Sequence, residues 1–173
     1  DSLGIDKNKP EKQQRNQTGR PILEEGDILL NTTLAETNDW QQVDLPVVRT
    51  LRHFCIETLS SYTEDNQACI SEVDLLDDKG QPIDKTKWEV VYVSSEQADK
   101  NLGIAENLFD GDISSFWHTD PATEPGQPHR IIVDIKEIYK ISALRFKVRK
   151  GAFLSGKVKE INVYGRPQFF LFH

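Results

Sequence analysis

Residues 105–119 read AENLFDGDISSFWHT. An apolar pair, Leu108-Phe109, runs into Asp110-Gly111-Asp112. A hydroxyl follows at Ser115, then the aromatic pair Phe116-Trp117. Oxygen donors this close, on a loop turned by glycine, suit a hard cation such as calcium. The same residues also suit an Asx-turn in which Asp110 caps its own loop without metal. The aromatic pair suits an anchor in a β-sandwich core, and Trp117 is expected inside it.

On either side of this block the apolar residues recur with period two, the spacing of a half-buried strand. Leu144, Phe146 and Val148 alternate with Arg145, Lys147 and Arg149. Similar runs cover Trp88–Tyr92, Ile131–Ile135, His53–Thr58, Cys69–Leu75 and Ile161–Val163. Asp77-Asp78-Lys79-Gly80, Glu124-Pro125-Gly126 and Lys150-Gly151 supply the turns between them. Residues 97–108 are expected to hold at most one short helical turn. Short strands with regular turn signals and no amphipathic helix predict an all-β fold, an antiparallel β-sandwich jelly roll. The Phe169–His173 end is apolar enough for a final strand or for packing on a neighbouring domain.

At 173 residues the chain suits one domain with a full core. Residues 1–20 have linker composition, and 21–173 are expected to form a single sandwich. The net charge of −7 excludes a nucleic-acid partner, which needs a basic surface. No apolar run is long enough to span a membrane. The absence of Met is expected of a processed chain or a fragment. The only cysteines, Cys55 and Cys69, lack zinc spacing. The hairpin expected below sets them on neighbouring strands, as a disulfide or as two packed thiols.

With these stretches in hand, the chain resembles the discoidin family, the factor V/VIII type C domains, whose fold is galactose-binding-like. Three stretches carry the likeness. Ala105–Thr119 is similar to the family's apolar-Asp-Gly block ending Trp-His-Thr. Pro128–Ile135 is similar to its Pro-His-x-x-x-x-Asp-Leu strand. Leu51–Val73, ending Ile70-Ser71-Glu72-Val73, looks like its terminal hairpin. The order is inverted, because the hairpin precedes the Asp-Gly block. Either the domain is circularly permuted, with new termini near Tyr164-Gly165 and Asp39-Trp40, or the chain joins halves of two modules. Jelly-roll ends lie close together and a half sandwich would expose an apolar face, so one permuted domain is expected.

The resemblance implies a structural calcium ion. Its ligands would be the carboxylates of Asp110 and Glu72, the hydroxyl and carbonyl of Ser115, and the carbonyls of Asn107, Asp112 and Ser71. It also implies a sugar site at one end of the sandwich. There His118, Arg149 and Ser155 stand where relatives contact galactose-type sugars; Ser155 replaces an Asn. Tyr62, in the 60–68 loop, and Phe153 are the candidate stacking rings. His129 is expected to hold a turn after Pro128.

No nucleophile motif or zinc-protease motif is present. The expectation is a noncatalytic carbohydrate-binding module of a secreted, periplasmic or cell-surface protein. Its partners would be a glycan or polysaccharide and a neighbouring catalytic domain. The alternative is an adhesion module or a structural spacer of the same fold.

Overall fold

The computed structural model describes residues 19–148 and 156–173. Of the 1–20 linker, only Gly19 and Arg20 fall within them. Among the described residues nine strands form: β1 (Pro21–Ile22), β2 (Ile28–Thr33), β3 (Gln41–Thr58), β4 (Cys69–Asp77), β5 (Glu89–Val93), β6 (Trp117–His118), β7 (His129–Val148), β8 (Glu160–Arg166) and β9 (Leu171–Phe172). Between β5 and β6 lie two short 3-10 turns, Asp99–Asn101 and Ala105–Phe109. One such turn was expected in that region.

Every named pairing is antiparallel, and the fold is the expected sandwich. Its two sheets share the long strands β3 and β7. The C-terminal half of β3 pairs with β8 and with the N-terminal half of β7, which also pairs with β5. The N-terminal half of β3 pairs with the C-terminal half of β7, which also pairs with β4. β2 extends the first sheet from β8, and β6 extends the second from β4. The long strands turn the corner where their register shifts, between Asp44 and Arg49 and between Leu51 and His53. Lys136, with φ 75°, marks the corner on β7.

Alternation explains the burial. Phe54, Ile56, Ile131, Val133, Ile161 and Val163 of the first sheet enter the main core, where they join Ile70, Val73, Leu144, Phe146 and Val148 of the second. Trp88, Phe109 and Trp117 close that core, as expected of Trp88 and Trp117. Cys55, Ile132 and Tyr164 point to the opposite face of the first sheet. There Phe170, Leu23, Ile28, Val91 and Tyr92 cover them. Covering both faces accounts for the uninterrupted Ile131-Ile132-Val133 run.

The expected β3–β4 hairpin is not formed. β7 lies between the two strands and pairs with both. Cys55 and Cys69 are therefore not on neighbouring strands; both are buried, and no disulfide joins them. The end of the chain does make a strand, with Ile22 opposite Leu171 and Pro21 opposite Phe172.

Candidate functional site

Two adjoining features are built around the 105–119 block. The first is the Asp-Gly loop. Asp112 N–H donates to Asp110 Oδ1 at 2.9 Å, which completes the Asx-turn. Ser115 Oγ–H donates to Asp110 Oδ2 at 2.5 Å and lies 3.0 Å from the Asp112 carbonyl. Gly111, with φ 80°, turns its N–H onto Glu72 Oε2 at 3.0 Å. The loop and β4 are thus joined through Glu72. Burial pushes the Glu72 carboxyl up to about 7, against the pull of Lys85 and the Gly111 N–H.

Asn107, Asp112 and Ser71 were expected to offer carbonyls, and the side chains of the first two are engaged within the loop. The Asn107 side chain stitches the loop internally, donating to the carbonyls of Asn101, Leu102 and Phe116. The Asp112 carboxylate accepts from the N–H and hydroxyl of Ser114, which hold its pKa below the usual range. Ser71 is buried beside Glu72. No three His, Cys, Asp or Glu side chains converge among the described residues. A cation here would rest on two carboxylates, one hydroxyl and backbone carbonyls. Glu72 Oε1 is buried without a hydrogen-bond partner, its Oε2 meets the loop at the Gly111 N–H, and within the loop oxygens of Asp110, Asp112 and Ser115 lie within hydrogen-bond distance of one another. This donor set fits a hard cation.

The second feature is a cleft of about 330 Å³ lined by Asp65, Gln67, Gln97, Leu102, Phe116, His118 and Pro121. Trp117 is fully buried and donates Nε1–H to the Ser95 carbonyl at 3.0 Å. Strand alternation therefore turns Phe116 and His118 to the cleft side, with ring centroids 6.3 Å apart. His118 Nδ1 lies 2.6 Å from the Thr119 carbonyl. The loop before the block folds back on this edge: Gln97 N–H donates to the His118 carbonyl and His118 N–H to the Gly103 carbonyl. A Cβ on Gly103 would stand 3.0 Å from the Cβ atoms of both Gln97 and His118, so glycine lets this wall close. On the other side Thr119 Oγ–H donates to Gln67 Oε1 at 2.6 Å, and Gly156 N–H donates to Asp65 Oδ2 at 2.9 Å.

His118 is where the sequence sets it, in the cleft wall. Tyr62 is not: its hydroxyl donates to the Leu34 carbonyl at 2.7 Å and Lys159 lies over its ring. The 59–68 loop instead contributes Asp65 and Gln67. Arg149, Phe153 and Ser155 lie outside the described residues. His129 is structural as expected. Its Nδ1 meets Glu124 Oε1 at 2.5 Å and its Nε2 the Asn66 carbonyl at 2.7 Å, which ties two loops beneath the cleft. Phe116 was expected in the core with Trp117; its place two positions from His118 is the signal that sets it on the cleft side. Gln97 and Leu102 carried no such signal, since only the fold-back of their loop brings them there.

Residues 90–168 match the F5/8 type C domain. The chain is also 33% identical, over 84 residues, to a sialidase of Micromonospora viridifaciens. That alignment covers 47% of this chain and 13% of the sialidase, so it concerns one segment of a much longer protein. Strands β5 to β8, the Asp-Gly loop and most of the cleft wall lie inside the matched segment. With the sandwich fold in place around them, residues 90–168 of this chain are similar to the F5/8 type C, or discoidin, domain family.

Proposed function

We propose that the chain is a noncatalytic carbohydrate-binding module of an extracellular protein, with the cleft around His118 as its sugar site. One observation carries the reading: the cleft is lined both by apolar side chains, Phe116, Leu102 and Pro121, and by polar ones, Asp65, Gln67, Gln97 and His118. A sugar ring offers C–H faces to the first and hydroxyls to the second. The likeness to part of a sialidase supports a glycan ligand and a catalytic neighbour, whose local concentration on its substrate the module would raise. Arg149, Phe153 and Ser155 are proposed as further contacts. The described chain resumes at Gly156, bonded to Asp65 at the cleft edge.

In the same reading, Asp110, Glu72 and Ser115, with carbonyls of Asn107, Asp112 and Ser71, hold a structural calcium ion that pins the loop. The inverted order of β3–β4 and the matched segment is a circular permutation of the family's chain order.

A glycan array followed by calorimetric titration of the best glycan tests the sugar site. Leu102→Glu and Gln97→Ala change two loop side chains of the cleft outside the main core. Each is expected to weaken binding by about tenfold or more, as removal of a contact worth 1.4 kcal/mol does, with the melting temperature held. His118→Ala and Arg149→Ala are expected to act in the same direction. A cooperatively folded chain that binds no glycan on the array, and instead captures a protein partner, overturns the proposal in favour of an adhesion module.

A further inference from the structure

Lys85 stands where a mobile cation would be drawn. It lies in the segment between β4 and β5, and the sequence alone gives it no role. Ile83 and Trp88, on either side of it, are both buried in the core. Ile83 N–H donates to the Leu75 carbonyl, and Thr86 bonds Asp84 Oδ1 through both its N–H and its hydroxyl. The segment is thereby folded back over β4, and the Lys85 side chain is mostly shielded, at 17% exposure. Its ammonium contacts Glu72 Oε2, lies 2.5 Å from Asp74 Oδ1 and donates to the Val73 carbonyl at 3.1 Å. Glu72 Oε2 is the same atom that accepts the Gly111 N–H of the Asp-Gly loop. One carboxylate oxygen therefore joins a protein-borne cation to the calcium loop. A cleft of about 380 Å³, lined by Lys85, Thr86, Glu106, Phe109, Asp110 and Gly111, opens beside it.

We propose that Lys85 is a tethered competitor for the calcium carboxylate: its ammonium holds Glu72 when no divalent ion is bound and weakens calcium binding when one is offered. A divalent ion engaging Glu72 must displace the ammonium or accept a like charge in contact, which is unfavourable at a shielded site. The inference rests on the calcium reading given above.

The test is calorimetric titration of calcium chloride into the chelator-stripped full chain, with thermal melts in chelator and in calcium. Lys85→Gln is expected to bind calcium about tenfold more tightly than the wild type or better, and to melt lower than wild type in chelator. Lys87→Gln removes the same charge two residues away and is expected to leave calcium affinity within about twofold, as a screened exposed charge should. Lys85→Met keeps the apolar stem and gives the same result if Lys85→Gln does not accumulate. Equal calcium affinity in wild type and both Lys85 variants overturns the competition while leaving the calcium site standing. An equal gain in Lys87→Gln also overturns it. Absence of calcium binding in wild type and Lys85 variants alike overturns both readings.

Discussion

Trp117 holds the loop end of the sandwich at one point. Its ring packs in the core beneath the cleft, and its Nε1–H is satisfied by the Ser95 carbonyl on the neighbouring loop. Loss of the ring removes apolar contact and leaves that carbonyl unpaired in the interior. Trp117→Ala is expected to lower unfolding free energy by about 3–5 kcal/mol in urea titration. An effect below about 1 kcal/mol would mean that the ring is not buried as described. Its neighbours fill other roles by alternation alone. Phe116 and His118 take the cleft side, and Thr119 locks the wall by bonding Gln67 and receiving the Ala68 N–H. Asp110 was readable as either an Asx-turn or a cation ligand, and the structure shows the turn. One carboxylate oxygen closes the turn while the other meets Ser115.

At the scale of elements, the corner of β3 and β7 concentrates buried polar groups. Arg52 forks onto both oxygens of Asp134 at 2.9 and 3.0 Å, and Lys136 N–H adds a third bond at 2.7 Å. Burial opposes ionisation of Asp134, but these donors outweigh it and hold the carboxyl below its usual 3.8. His53 is packed beneath, its ring centroid 4.3 Å from that of Phe169 and Nε2 3.6 Å from Asp134 Oδ1. Burial lowers its pKa below 6.5, with Asp134 opposing. Both folded-state pKa values lie below those of the unfolded chain, so between each pair of values the unfolded state binds more protons. The contribution of His53 to stability is complete above pH 6.5 and declines as pH falls below it; that of Asp134 declines only below 3.8. His53 and Asp134 are therefore expected to lower the melting temperature in two stages on acidification, while Glu72, raised from 4.5 to about 7, acts in the opposite direction between those values. His53→Leu is expected to flatten the stage that sets in below pH 6.5, relative to wild type, and to leave the lower one. An unchanged upper stage in that variant would remove His53 as its source. Strand identity here was legible in the alternation of His53 to Thr58. The corner was not, because a bend shared by two long strands leaves no periodic signature in either.

At the scale of the whole molecule, β3 and β4 come from before the family segment yet complete both sheets around it. The flanks of the described chain meet: β1 pairs with β9, and Arg20 and His173 exchange backbone hydrogen bonds at 3.0 and 3.1 Å. If the order is a permutation, a chain opened in the exposed Asp78–Gly80 turn and joined by a short glycine linker between His173 and Arg20 restores the family's order. That variant is expected to fold to the same sandwich, with the same circular dichroism spectrum and cooperative unfolding. A molten or unfolded product would count against permutation. The apolar strip of Phe169, Leu171 and Phe172 is accounted for in part by this closure, since β9 and Phe170 cover the outer face of the first sheet.

The sequence by itself determined the all-β class, the buried Trp117, the Asp-Gly turn, and His118 beside the aromatic pair. These follow from period-two alternation, turn chemistry and short-range spacing, which act between residues close along the chain. Only the tertiary structure decided that β7 separates β3 from β4, that Asp65, Gln67, Gln97 and Leu102 wall the cleft while Tyr62 turns away, and that Lys85 reaches Glu72. Those are meetings of segments distant in sequence. They are set by which faces the two bent strands bury together, and no local pattern records them.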